Sequence, residues 1–122
     1  MTNEEIKAIK SLKTSQIFVY SLIFASSLSI YINNGQIDLF KNKENASVTP
    51  QELYNIGKTA TIIVWIASIY FLIANFDSYN KEKTKQNASF LAAAFLAFQA
   101  SSIRLSSVLN NPVDDISSQD IV

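Results

Sequence analysis

Three polar side chains lie within apolar stretches of the sequence and are the residues best placed to do chemistry. Arg104 is the single charge between Ala88 and Leu109, a stretch that also holds Gln99, and Asn75 lies near the end of a second apolar stretch. A charged or amide group in hydrocarbon is costly, so it pairs, reaches the interface or lines a path for an ion or ligand. We therefore treat Arg104, Gln99 and Asn75 as candidate ligand-binding or pore-lining residues.

The position of Arg104 favours an anchoring role over a ligand site. At 1.5 Å per residue, Arg104 lies roughly 7 to 8 Å before the end of its apolar stretch. Its long side chain can therefore extend to place the guanidinium at the membrane–water interface. Its candidate partners are the carboxylates Glu52, Asp38, Asp114 and Asp115. For Asn75 and Gln99 the favoured role is an amide hydrogen bond between helices, and site lining is the alternative.

Composition argues against most enzymatic chemistry. The chain has no cysteine and no histidine, which removes thiolate nucleophiles and the commonest general base and metal ligand. Two glycines are too few for a phosphate-binding loop. Ten basic residues balance ten acidic ones, which argues against a nucleic-acid partner. We predict a protein that is not an enzyme and has no cofactor or metal, although a lipid-modifying activity stays open.

Three uncharged or nearly uncharged stretches are long enough to cross a bilayer, which needs about 20 apolar residues. The sequence therefore predicts an all-α integral membrane protein with three transmembrane helices, in which helices 2 and 3 form an antiparallel hairpin. We expect a single membrane domain over 1–122. An amphipathic cytoplasmic segment at 1–13 precedes the three spans, which are predicted at 14–32, 59–79 and 88–109. The parts between and after the spans are an external loop with the start of helix 2 at 33–58, a cytoplasmic loop at 80–87 and an acidic external tail at 110–122.

The ends of the helices carry recognisable capping residues. Asn33 and Asn34 precede Gly35, which predicts that helix 1 ends there with Gly35 in the left-handed conformation. Thr49 before Pro50, followed by Glu52, predicts the start of helix 2. We expect helix 2 to run from Pro50 to about position 79, and helix 3 to stop at 110–112.

Lysine placement predicts the orientation. The N-terminal segment and the 80–87 region each hold three lysines, whereas the 33–58 segment has three beside several acids and the tail has none. The positive-inside rule then places the N-terminus in the cytoplasm and the C-terminus outside the cell membrane. Abundant Lys, Asn and Ile suggest a bacterial or phage source.

At 100° per residue, small and bulky side chains separate on helices 2 and 3. Small residues let helix backbones approach closely in lipid, so they mark the predicted packing faces. The bulky residues on the other side of helix 3, Leu91, Phe95, Phe98, Leu105 and Leu109, are predicted to face lipid. The predicted helix-packing face comprises Gly57, Thr61, Ser68, Ala93, Ala97 and Ala100.

The layout resembles that of bacterial diacylglycerol kinase, which is similar in size and has three membrane helices after an amphipathic segment. The chemistry of that family depends on glutamates and an asparagine near the end of its second helix. Here the corresponding "LIANFDSYN" offers Asn75 and Asp77 but no glutamate. The resemblance therefore implies a shared layout and not the activity.

Two functions remain for a protein of this kind. The first is a non-enzymatic membrane protein that docks through its small-residue faces, either on itself as a homo-oligomer or on another membrane protein. The second is a homo-oligomeric pore or carrier for an ion or small solute, with Arg104, Gln99 and Asn75 along a polar path. Three-helix phage holins resemble this layout, but they usually end in a basic tail, whereas this chain ends in "DDISSQDIV".

Overall fold

The computed structural model describes residues 1–110, and these fold into three long helices without a β-strand. Helix α1 spans Asn3–Asn42, α2 spans Pro50–Lys81 and α3 spans Lys85–Asn110, with a short 3₁₀ turn at Lys43–Asn45 after α1. All three helices are long and apolar enough to cross a membrane. The predicted all-helical fold and the three long apolar helices are confirmed.

Helix α2 is the centre of the molecule, and α1 and α3 both pack against it. Ser15 near the start of α1 is bonded to Tyr70 near the end of α2, with 2.9 Å between the hydroxyl oxygens. On the other side, Tyr54 near the start of α2 donates to the carbonyl of Val108 at the end of α3. Both pairs join opposite ends of neighbouring helices, so α1 and α3 each run antiparallel to α2. Within residues 1–110, α1 and α3 do not pack on each other.

Local hydrogen bonds determine where α2 and α3 begin. The Thr49 hydroxyl accepts from the Glu52 backbone N–H at 3.2 Å, which confirms the predicted start of α2. The Thr84 hydroxyl accepts from the Asn87 N–H at 3.0 Å and begins α3 in the same way. The Asn87 side-chain amide also donates to the Glu82 carbonyl at 2.7 Å. Only 82–84 connect the two helices, which fixes them as a hairpin.

The predicted end of helix 1 at Gly35 is wrong, since α1 continues to Asn42. No glycine among the described residues has a positive φ, and Lys43, at φ 37°, is the residue that leaves the helix. Gly35 has a packing role instead: a Cβ at this position would lie 2.6 Å from Cδ2 of Leu53. The side chains of Ile32 and Leu53 beside it are 0% and 2% exposed, so the tightest core lies where α1 meets the start of α2.

A polar turn after α1 replaces the predicted glycine cap. The Asp38 carboxylate accepts from the Ser47 N–H at 2.7 Å and from the Ser47 hydroxyl at 3.0 Å, and the Asn42 side-chain amide also donates to it. These donors, the Asn42 amide first, hold the pKa of Asp38 below its ordinary value. The turn thereby leads the chain from α1 into Val48, which is 8% exposed, and on to α2.

On α3 the prediction from side-chain size is partly wrong. The residues turned toward α2 recur every three or four positions and include Leu91, Phe98 and Leu105, which were predicted to face lipid. Phe95 and Leu109 are 49% and 54% exposed, as predicted. The side of α3 that meets α2 therefore combines large side chains with the buried Ala94 and Ser101. On α2 itself, Ile62, Ile66 and Ile73 are exposed, whereas Ile69 is half-buried.

Candidate functional site

A small, mostly apolar cavity lies between the three helices, and we call it the Arg104 cavity. Its volume is about 100 Å³. Each helix contributes side chains to it, and Arg104 is the one charged residue among those of 1–110. The lining consists of Ser29 and Ile32 from α1, Gly57, Ala60, Thr61 and Val64 from α2, and Ser101 and Arg104 from α3.

Three hydroxyl groups line the Arg104 cavity, and each donates its hydrogen to its own helix. Ser29 donates to the Ala25 carbonyl at 3.3 Å, Thr61 to that of Gly57 at 2.8 Å, and Ser101 to that of Phe98 at 3.0 Å. Such bonds keep a hydroxyl satisfied in an apolar setting. A hydroxyl can also rotate and give its hydrogen to a ligand, because the helix carbonyl keeps its backbone bond.

A buried pair of serines joins α2 to α3 beside the cavity. The Ser68 and Ser101 oxygens are 2.8 Å apart, and Ser68 also lies 2.6 Å from the Trp65 carbonyl. Each hydroxyl has one hydrogen, so one serine accepts from the other while both remain near a carbonyl. The Trp65 indole N–H donates to the Ser102 hydroxyl at 3.0 Å, one residue further along α3. These bonds fix the register of the two helices at the level of the cavity.

Five of the six residues predicted as a packing face lie on one side of the molecule, which we call the open face: Gly57, Thr61, Ala93, Ala97 and Ala100. Gly57 and Thr61 line the cavity. The three alanines precede Arg104 by about one, two and three turns on the same side of α3, and all three are exposed. The sixth residue, Ser68, is buried against Ser101. The alanines therefore do not pack against α2, which uses another side of α3.

The three candidate site residues do not converge. Arg104 borders the cavity. Asn75 lies about five turns further along α2 than Gly57, roughly 27 Å away, and its amide donates to the Phe71 carbonyl of its own helix at 2.7 Å. Gln99 is exposed and lies about 120° around α3 from Ala93. Asn75 thus shares a side of α2 with the open face, whereas Gln99 belongs to another side of α3.

Two of the acids predicted as partners of Arg104, Asp38 and Glu52, lie within the described residues. Asp38 is engaged by Asn42 and Ser47 in the turn after α1. Glu52 is exposed in the first turn of α2. Asp114 and Asp115 lie outside the described residues.

Sequence reasoning missed two contributions to this region. Ser29 and Ser101 line the cavity, although each also bonds a carbonyl of its own helix. An aromatic cluster also closes the space between α1 and α2 at the opposite end: the rings of Phe18 and Tyr70 stack with centroids 4.1 Å apart, and Phe71 meets both edge-on. The three rings thus fill the space between α1 and α2 at the level of Tyr70.

No family model, curated protein or solved structure matches the chain. The Arg104 cavity and the open face are the features of the described residues that bear on function.

Proposed function

We propose that this protein is a small, non-enzymatic integral membrane protein that associates with a second copy of itself through the open face. Three helices long and apolar enough to cross a membrane support the membrane assignment. Large apolar side chains are exposed along each of them, among them Phe24 on α1, Ile73 on α2 and Ile103 on α3. Lipid is the environment that accepts such surfaces without cost.

The observation that carries the proposal is the exposure of Ala93, Ala97 and Ala100 beside Arg104. A lipid-facing helix surface gains nothing from a row of alanines, whereas a helix–helix contact does, because small residues let backbones approach closely. The same side of the molecule carries the Thr61 hydroxyl and the guanidinium, which lipid tails solvate poorly. A protein surface would cover this side better than lipid.

A second copy is the occupant that fits best. Close backbone approach requires small residues on both helices, and the stripe of one copy supplies them to the other. A twofold pair also buries the same patch on both partners, so one surface is sufficient. Other membrane proteins with a matching stripe are the outcome that the test below separates from self-association.

Cysteine cross-linking in the membrane tests this proposal directly, because the natural chain has no cysteine. We expect Ala97→Cys to give a covalent dimer with a short bismaleimide. Ala92→Cys is the matched control, since Ala92 is exposed on another side of α3. Equal yields at the two positions, or no dimer at either, would contradict self-association. Cross-links from Ala97→Cys only to a different protein would favour a heteromeric contact.

We further propose that the N-terminus and the α2–α3 connection lie in the cytoplasm and that the C-terminus lies outside a cell membrane. The support is the lysine distribution described above. The antiparallel order of the helices places the start of α1 and the α2–α3 connection at the same end of the molecule.

A homo-oligomeric pore or carrier is the second candidate, favoured by one observation. Asn75 and Arg104 both lie on the side of the molecule that carries the open face, at opposite ends of it. An oligomer closed around this side would bring both groups to one path, with Gln99 elsewhere. Purified protein in liposomes should then pass ions or small solutes at a rate that Arg104→Ala changes; the absence of flux under every imposed gradient would eliminate the pore.

A further inference from the structure

We infer that the Arg104 cavity binds a phosphate oxyanion, supplied by a phospholipid headgroup or by free phosphate. This site goes beyond the proposed self-association and does not depend on it. The inference rests on four features of the cavity: the charge of its lining, its hydroxyl groups, its size and its position along the helices.

The charge of the lining favours an anion. Among the described residues of the lining, Arg104 is the one charged residue and none is a carboxylate. A guanidinium carries five N–H donors in a planar fork that matches two phosphate oxygens at once. This number of donors allows a phosphate to bind alongside a partner within the chain.

The hydroxyl groups supply further donors around the same space. Ser29, Thr61 and Ser101 line the cavity from three different helices. Each can turn its hydrogen from a carbonyl of its own helix toward an oxyanion. A tetrahedral phosphate presents oxygens in several directions, which suits donors converging from separate helices.

The volume of the Arg104 cavity fits one phosphate group. A volume of about 100 Å³ has room for about three water molecules at ~30 Å³ each, which is comparable with one phosphate. The remaining lining is apolar, from Ile32, Ala60 and Val64. This combination of a few polar groups in a mostly apolar lining suits the junction between a headgroup and its acyl chains.

The position along α3 also agrees with a headgroup. Arg104 lies about 9 Å before the end of α3 at Asn110. The headgroup region adds about 5 to 8 Å on each side of the hydrocarbon core, and an arginine side chain reaches toward it from within. Tyr54, which donates to the Val108 carbonyl, marks the same end with an amphipathic ring.

The first arm of the test counts retained lipid. Wild-type protein, Arg104→Gln and Lys58→Gln are released from phosphatidylglycerol nanodiscs and weighed by native mass spectrometry. Lys58 is the matched control because its ammonium lies over the Tyr54 ring, 5.8 Å from the centroid, and it does not line the cavity. We expect wild type and Lys58→Gln to retain one phospholipid per chain that Arg104→Gln loses. Equal retention by all three would overturn binding of a headgroup.

The second arm separates the two sources. Trp65, the single tryptophan, follows the cavity residue Val64 and reports on this region by its fluorescence. Lipid-stripped protein in detergent is titrated with inorganic phosphate and, separately, with a short-chain phosphatidylglycerol. A response to the lipid alone assigns the site to headgroups, and a response to phosphate assigns it to the free anion. No Arg104-dependent response to either, together with equal lipid retention, would overturn the inference.

A third variant keeps the test valid if Arg104→Gln folds poorly. Thr61→Val removes a cavity hydroxyl with almost no change of shape, and we expect it to weaken the response several-fold. Thr59→Val is its control, because the Thr59 hydroxyl also bonds its own helix, to the Asn55 carbonyl, and lies outside the cavity. Circular dichroism verifies the helix content of each variant. Identical binding by Thr61→Val and Thr59→Val would contradict a role for the hydroxyls.

Discussion

At Gly35, α1 and α2 come closer than a side chain would allow. Leu53 and Val48 occupy the space where a Cβ would stand, with Leu53 Cδ2 2.6 Å and Val48 Cγ2 3.2 Å from its ideal position. Helical glycine is otherwise unfavourable by about 1 kcal/mol relative to alanine. The close contact, and not a helix end, is what this glycine makes possible.

The change Gly35→Val tests that contact. We expect it to destabilise the protein by about 1 to 3 kcal/mol, because the added side chain must displace the buried Leu53. Unfolding in mixed detergent micelles, followed by circular dichroism, measures the effect. In a Leu53→Ala background the same change should cost much less; an equal cost in both backgrounds would show that Leu53 is not what excludes the side chain.

The buried pair of Ser68 and Ser101 offers a second test at this scale. Hydrogen bonds between membrane helices average about 0.6 kcal/mol, with a maximum near 1.7. A double-mutant cycle with Ser68→Ala and Ser101→Ala should give a coupling free energy in that range. Ser27→Ala is the control, since Ser27 is exposed and bonds only the Ile23 carbonyl. A coupling of zero would show that the 2.8 Å contact does not stabilise the pair of helices.

At the scale of elements, the turn after α1 depends on a carboxylate. The Asp38 carboxylate accepts hydrogen bonds from the Asn42 side-chain amide and from the Ser47 N–H and hydroxyl. These donors lower the pKa of Asp38. A lowered pKa means that the ionised form is the one the fold stabilises. The contribution is therefore complete above about pH 3.9, the ordinary aspartate value, and is lost as the pH falls through the lowered pKa.

Hydrogen exchange at the Ser47 amide measures this turn. After correction for the intrinsic pH dependence of exchange, protection should be constant from pH 7 to about 4.5 and fall only below about 3.9. Asp38→Ala should abolish the protection at every pH. If the amide of Ser47 remained protected in that variant, the carboxylate would not be what holds the turn.

The sequence predicts the features that nearby residues determine and misses those that contacts between helices determine. The three helices and the Thr49 cap followed from hydropathy and local capping chemistry, which depend on nearby residues alone. Gly35 could not be read correctly because its role is a contact with Leu53 in another helix. The side of α3 that meets α2 was missed for the same reason, since large side chains such as Phe98 fill space that only the partner helix defines.

The candidate site shows the same limit. Arg104 was identifiable as the single charge in an apolar stretch. Its surroundings were not, because the cavity exists only where residues of three helices meet, and Ser29 and Ser101 resemble ordinary helix serines in sequence. The separation of Gln99 from Arg104 was within reach of the sequence, because a rotation of 100° per residue already places them apart.

At the scale of the whole molecule, α1 and α3 both pack against α2, and within residues 1–110 the backbones of these two outer helices do not come close to each other. This arrangement leaves the Arg104 cavity and the open face on one side. It also gives the molecule two distinct ends, with the α2–α3 connection at one and the turn of 43–49 at the other.

Single cysteines introduced at the two ends test the proposed orientation. In intact cells, Asn45→Cys should react with a membrane-impermeant maleimide, and Lys83→Cys should react only after the membrane is permeabilised. Ala94→Cys is the control, because Ala94 is 9% exposed on α3 and should resist labelling in both conditions. The reverse pattern at Asn45 and Lys83 would mean that the chain is inserted the other way round.

The most direct test of the central claim is the oligomeric state in native-like nanodiscs, measured by mass spectrometry for wild type, Ala97→Phe and Ala92→Phe. Both substitutions add the same ring to an exposed alanine of α3, but only Ala97 belongs to the open face. Self-association through that face predicts a defined oligomer for wild type and Ala92→Phe and a monomer for Ala97→Phe. A wild-type monomer, or an oligomer that Ala97→Phe leaves intact, would contradict it.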